Sequence, residues 1–151
     1  MSIEAVWNAL PRRIRGQGLE KENLEKLNLQ EIRLRCGQPL LLKGEKGICF
    51  LRQDGMPAES SESCIRISKA DIQETVSLLS AYSLYAFEEE LRQGYLTIEG
   101  GHRVGFCGKA VLEGGEIRTL RQINALNIRI AREIKGCASR ILPFLMEGGT
   151  F

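Results

Sequence analysis

The spacing of hydrophobic residues changes period several times along the chain. Ile3, Val6, Trp7 and Leu10 fall on one face at helical spacing, which predicts a helix over 2–10, capped by Ser2 and ended by Pro11. Residues 12–27 are polar and basic, with Gly16 and Gly18 as breakers and Leu24 and Leu27 as apolar anchors. The period then falls to two. Ile32 and Leu34 alternate with Glu31, Arg33 and Arg35, the pattern of a half-buried strand. Cys36–Pro39 reads as a turn, and Leu40–Leu42 and Ile48–Leu51 as short strands around Gly44 and Gly47. Gln53–Ser63 carries Gly55, Pro57 and three serines and reads as a loop, followed by a short strand at Ile65 and Ile67.

Ser68-Lys69-Ala70-Asp71 has the spacing of a capping box with Asp in place of Glu. Ile72, Val76 and Leu79 follow as a helical stripe, and Leu84, Phe87 and Leu91 continue it to Gly94, a residue suited to a helix C-cap. The run reads as one helix or, with a break near Ser83, as two. Period two returns at Tyr95–Glu99, and Gly100-Gly101 is a turn. Residues 103–123 read as a β-hairpin about Gly114-Gly115, since paired glycines supply the positive φ of tight hairpin turns. Ile128 and Ile130 mark another strand. Ser139–Met146 can start a helix, with Pro143 in its first turn. The predicted fold class is α+β: a mostly antiparallel sheet of five strands or more, helices packed on one face, and the 103–123 hairpin at its centre.

Composition narrows the picture. A chain of 151 residues with 43% hydrophobic and 26% charged residues fits an ordinary globular domain. No apolar run comes near the ~20 residues of a membrane helix. The opening MSIEAVWNAL lacks a basic lead and a long apolar segment, so no export signal is expected. The five cysteines (36, 49, 64, 107, 137) are odd in number and form no C-x-x-C pair, which predicts reduced thiols and neither a disulfide framework nor a metal site. His102 is the sole histidine. No partner is adjacent to it in sequence, and Cys107, five residues along a strand, points to the other face.

Gly108-Lys109 has the Gly-Lys of a phosphate loop but fails it twice. Arg103 stands where the first Gly belongs, and Ala110 where Ser or Thr must follow. No helix is expected to open there either, so no catalytic residue and no self-sufficient nucleotide site is expected within this chain. Glu88-Glu89-Glu90 read as a solvated helix face, because consecutive helical residues diverge. The last third is basic: between Arg103 and Arg140 stand eight Lys or Arg against three Glu, a local excess of five over a whole-chain net charge of +2. Six of the eight are Arg, the side chain suited to bidentate phosphate or carboxylate binding. A basic nucleic-acid surface or a protein scaffold is the alternative reading. Phe106 is the lone aromatic of that stretch, which disfavours single-strand stacking and makes nucleic acid the weaker partner.

Several strings together carry a resemblance. They are Glu31-Ile-Arg-Leu-Arg35 with Gly37 and Pro39, Tyr82-Ser-Leu-Tyr-Ala-Phe-Glu-Glu-Glu90 with Gly94-Tyr95, Gly100-Gly-His-Arg-Val-Gly105 with Gly108-Lys109, and Asn127-Ile-Arg-Ile-Ala-Arg-Glu133. Over residues 28–145 the chain resembles the stage III sporulation protein AA family of endospore-forming bacteria, relatives of the hexameric ATPases of secretion and pilus retraction.

The resemblance implies a PAS-like N-terminal domain ahead of an ATPase motor. It divides the chain into an N-terminal helix and basic linker (1–27), an α+β domain (28–137) and the start of a connection to the motor (138–151). ATP and Mg²⁺ would be held by the full-length protein, and neither by this chain. The implied partners are the motor domain, neighbouring subunits of a hexamer and membrane proteins of a sporulation channel. The implied place is the mother-cell cytoplasm, peripheral to the forespore membrane. In such ATPases, arginines of the N-terminal domain reach a nucleotide across a boundary. The candidates here are Arg103 and Arg121, then Arg118, with Arg129 and Arg132 in reserve. Arg118 and Arg121, three apart, share one side of the hairpin only if a bulge intervenes.

Overall fold

Among the described residues, every strand joins one antiparallel sheet. The computed structural model describes residues 3–16, 19–80 and 84–146, the side chains of 84–86 excepted. The Ser2 cap, the Gly18 breaker and the break near Ser83 lie outside the described residues. The strands are β1 (Glu31–Arg35), β2 (Leu41–Gly44), β3 (Gly47–Leu51), β4 (Pro57–Ala58), β5 (Tyr95–Ile98), β6 (His102–Glu113) and β7 (Glu116–Arg129). The helices are α1 (Glu4–Ala9), α2 (Arg12–Arg15), α3 (Lys21–Lys26), α4 (Lys69–Ser80), α5 (Leu84–Gln93) and α6 (Leu142–Leu145). The sheet order is β4-β3-β2-β1-β7-β6-β5. An N-terminal meander, β1 to β4, thus meets a C-terminal meander, β5 to β7, along the β1–β7 seam.

The period-two residues make the core. Ile32 and Leu34, Leu42, Val104 and Phe106, and Leu126 and Ile128 point to one face and are buried there beneath helices. The helices contribute Val6, Leu10, Ile14, Leu24, Ile72 and Phe87 to the same cluster. Phe87 meets Phe106 edge to face at 5.5 Å between centroids, a geometry favoured by the ring quadrupoles. Each such side chain contributes about 1.5–3 kcal/mol of burial. The segment 12–27 is built into this core: α2 and α3 carry Ile14 and Leu24, and Leu19 between them is buried too.

The capping box forms as its spacing predicts. The Ser68 N–H and hydroxyl donate to Asp71 Oδ2 at 2.7 and 2.8 Å, and the Asp71 N–H donates to Ser68 Oγ at 3.1 Å. Arg13 adds a bidentate clamp from α2, with Nη2 at 2.5 Å from Oδ2 and Nε at 3.1 Å from Oδ1. Burial on its own would push the Asp71 carboxyl up, but Arg13 and Ser68 outweigh it and hold it below the ordinary aspartate value. Gly94 ends α5 at φ +85°, where a residue without Cβ is at ease.

Three expectations are corrected. The hairpin is not central: β1 occupies the middle of the sheet, and β6 lies beside the edge strand β5. The far end of β7 pairs with β1 over 125–129, and β5 covers only 102–105 of β6. The hairpin beyond Lys109 is therefore a two-stranded arm that leaves the sheet. Secondly, Ile65 and Ile67 make no strand. Pro39 opposite Arg66 has no N–H to extend a ladder, so isolated bridges remain at Pro39–Arg66 and Arg52–Cys64. Thirdly, Ile128 belongs to the same strand as the hairpin's return, β7, which runs unbroken over fourteen residues.

Two irregularities shape the arm. Between Cys107 and Lys109 of β6 the register slips against Ala125 and Arg121, so β7 carries two residues more than its partner. Gln122 takes φ +49° within that slip. A Cβ on Gly108 would stand 2.7 Å from the Arg121 carbonyl oxygen, so only glycine admits this approach. A second slip falls between Val111 and Leu112, which leaves Arg118 as the extra residue between Ile117 and Thr119. The Gly114-Gly115 turn closes the arm at φ +61° and +86°.

Candidate functional site on the open sheet face

No helix among the described residues covers the other face of the sheet, and its rows follow from the register. One row runs Thr97, Arg103, Arg129, Glu31, Lys43. The next runs Tyr95, Gly105, Asn127, Arg33, Leu41, and a third Cys107, Ala125, Arg35. Four arginines from three strands therefore share one surface. Gly105 and Ala125, the small residues, form the floor of a shallow depression of about 610 Å³ walled by Arg33, Arg35 and Asn127.

Arg103 and Arg129 lie directly opposite each other on β6 and β7, both exposed. Like charges in that position repel. One neighbour relieves it. The Arg103 guanidinium sits over the Tyr95 ring, 5.2 Å from its centroid, a cation–π contact. Opposite Arg129 in the β1 register stands Glu31. Glu31 is buried and ion-paired to Arg33. That bond holds its carboxyl below the ordinary glutamate value against the opposing effect of burial, with Asn127 and Lys43 adding to the shift.

The five candidate arginines separate into one pair and three strays. Arg121 lies opposite Lys109 on the arm, six residues along β6 from Arg103, or about 20 Å at the usual strand rise. Arg118 sits in the second bulge, ion-paired to Glu113. The bulge that a shared site for Arg118 and Arg121 requires is present, but Arg118 is spent on that ion pair. Arg132 lies past the end of β7 and donates from Nη1 to the Asn28 carbonyl at 3.1 Å. Arg33 and Arg35, absent from the candidates, share the open face with Arg103 and Arg129. The alternation Glu31-Arg33-Arg35 against Ile32-Leu34 carried that signal.

The remaining chemistry lies elsewhere. His102 is buried on the helix side, where the Ala131 N–H donates to its Nδ1 at 3.0 Å, while Cys107 is exposed on the open side. The two face away from each other, as their spacing implies. Glu88 and Glu89 are exposed on α5, and Glu89 pairs with Arg92. Gly108-Lys109 lies at a bulge in a hairpin with no helix after it, so these residues do not fit the phosphates of a nucleotide. Among the described residues, no cluster of three His, Cys, Asp or Glu is placed to hold a metal ion. No helix among them is long and apolar enough to cross a membrane.

Fold and site define a class: an α+β domain with a one-sided antiparallel sheet that presents arginines on its open face. The family model described as "Sporulation stage III, protein AA" matches residues 2–149, and the chain belongs to that family. Stage III sporulation protein AA of Bacillus subtilis (strain 168) is 36% identical over 145 residues, which cover 96% of this chain and 43% of that protein. The chain thus spans less than half the length of this relative. The X-ray structure of the Legionella pneumophila ATPase DotB aligns with 80% of this chain and 30% of its own, at 15% identity and a TM-score of 0.39.

Proposed function

We propose that this chain is the accessory N-terminal domain of a hexameric, secretion-type sporulation ATPase. It is a domain that docks, and the chemistry belongs to a motor outside these 151 residues. In this reading the motor holds ATP and Mg²⁺. The assembly energises a channel complex between mother cell and forespore, from the mother-cell cytoplasm and peripheral to the forespore membrane. Family membership and the greater length of the Bacillus subtilis relative support it.

One observation carries the role of the domain: the Arg103–Arg129 pair on the sheet face that no helix covers. Two like charges side by side cost stability. A partner that brings negative charge turns the cost into binding, and phosphoryl transfer is accelerated by an arginine supplied across a boundary. The pair therefore faces the nucleotide-bearing motor domain or a neighbouring subunit. The nucleic-acid alternative draws less support, because the basic residues of 103–140 are scattered over the face, the arm and the C-terminal segment.

The test uses full-length protein carrying this domain. Arg103→Ala and Arg129→Ala should cut ATP turnover by ~10³-fold or more if either acts as a finger, with ATP binding, oligomeric state and thermal unfolding unchanged. Arg121→Ala and Arg132→Ala should have little effect. Wild-type turnover in both the Arg103 and Arg129 variants retires the assignment.

A further inference from the structure

The two edges of the sheet are built differently. At one, β4 is two residues long and begins with Pro57, which has no N–H to offer. Short edge strands, proline and charge are the devices that keep sheet edges from pairing with other chains. The strands of the arm carry such charges in Lys109, Glu113, Glu116, Arg118 and Arg121. At the other edge, β5 is Tyr95-Leu96-Thr97-Ile98, with no charge and no proline. The register fixes which of its main-chain groups are free. The Phe106 N–H donates to the Gly94 carbonyl at 2.9 Å. By antiparallel alternation, Leu96 and Ile98 therefore bond to Val104 and His102 of β6. The N–H and C=O groups of Tyr95 and Thr97 point the other way, and no strand among the described residues lies beyond them.

This unpaired edge borders a groove between α1, α4, α5 and β5 that encloses about 470 Å³. Ala5, Ala9, Leu79 and Phe87 line it from the helices, and Leu96 and Ile98 from the strand. Thr97 lines it too, although its side chain belongs to the open face, so what it brings to the groove is main chain. Among the described residues, the charged lining is acidic: Glu4, Glu90 and Glu99. Glu4 is ion-paired to Lys21 at 2.5 Å, which leaves Glu90 and Glu99 to set the sign of the rim. An unblunted edge, an apolar trough beside it and negative charge at the rim thus coincide.

We propose that an extended, basic segment of a partner protein adds to β5 as a further strand of the seven-stranded sheet. Its main chain pairs with Tyr95 and Thr97. Its alternate apolar side chains enter the groove, and the Lys or Arg residues flanking them meet Glu90 and Glu99. In strand addition the main chain supplies affinity, and pockets for alternate side chains supply specificity. A second copy's β5 is the poorer occupant, because self-pairing brings two acidic rims together and like charges repel. The contact involves neither the Arg103–Arg129 pair nor a nucleotide, and so stands or falls apart from the function proposed above.

Fluorescence anisotropy with full-length protein carrying this domain tests it, the probe being a labelled peptide of sequence KVTVRVK. The peptide should bind with a Kd of about 10–100 µM, and the charge-reversed peptide EVTVEVE at least about tenfold more weakly. N-methylation of the alternate amides that face β5 should abolish binding, whereas methylation of the other alternate set should spare it. Thr97→Pro removes an outward N–H that β6 does not use, so circular dichroism should be unchanged and binding lost. Glu90→Lys combined with Glu99→Lys should exchange the preference, with EVTVEVE binding at least about tenfold tighter than KVTVRVK. That exchange decides the matter on its own if the proline variant misfolds. No binding up to about 1 mM, as when another part of the protein already covers the edge, overturns the proposal. So does binding that ignores both methylation patterns, that survives in a folded Thr97→Pro variant, or that keeps its preference after the double charge reversal. Self-association abolished by Thr97→Pro overturns it as well, by giving the edge to a second copy.

Discussion

The β6–β7 hairpin divides into two halves that look alike in sequence and behave as different materials. At its root, Val104, Phe106, Leu126 and Ile128 alternate with polar residues and are buried under α5 and its neighbours. In the arm, Val111, Leu112, Ile117 and Leu120 lie among Lys109, Arg118 and Arg121 at similar density, yet Leu112 is 64% and Ile117 45% exposed. Period-two patterning runs through both, but burial fades from the root, through half-buried Leu120 packed against the core, to the exposed tip. An alternating pattern specifies a strand and leaves open whether a second layer exists.

The largest contrast should appear on truncating one side chain from each half. Ile128→Ala is expected to cost about 2–5 kcal/mol in urea unfolding, from lost transfer and a cavity. Leu112→Ala should stay within about 0.5 kcal/mol. Equal losses would show that the arm is packed against something in solution.

A smaller contrast lies between two ion pairs. Asp71, clamped by Arg13 and Ser68 in the body, is buried, and Asp71→Ala should cost about 1–3 kcal/mol at pH 7. Its carboxyl is held below the ordinary value, so the contribution is present above the unfolded-state pKa of about 3.9 and is lost as pH falls through the lower folded-state value. The gap between wild type and Asp71→Ala should therefore narrow from pH 5 to pH 2. A constant gap would mean that the carboxylate charge does not stabilise α4.

The smallest effect belongs to the arm's pair. Glu113 and Arg118 are both about two-thirds exposed. Glu113→Gln should shift the unfolding free energy by no more than about 0.5 kcal/mol, and 0.5 M salt should erase the shift. A loss as large as that of Asp71→Ala would place this end of the arm in a dry environment.

Much of the body was legible from local rules. Glu31–Arg35, the Ser68 box, the Gly94 stop and the Gly114-Gly115 turn each depend on a few neighbouring residues. What escaped depended on residues far apart. Helices α2 and α3 are short and carry no side-chain cap; their reason is the burial of Ile14 and Leu24 in a core assembled from the whole chain. The arm's length follows from where β1 and β5 stop, which hairpin residues do not encode. At the open face, arginine as a residue type was legible. The pairing of Arg103 with Arg129 was not, because the register passes through two slips, one over residues 122–124 and one at Arg118.

The strand order has a kinetic consequence. Each meander closes through neighbouring strands, whereas the β1–β7 seam joins residues 31–35 to 125–129, ninety or more positions away. Loop-closure entropy falls almost wholly on that one joint, so contact order predicts two halves that form early and a slow search for their common edge. Arg103 and Arg129 belong to one half and Glu31 to the other. Contact order therefore predicts that the arginine pair is made within its own half before β1 and Glu31 reach the row.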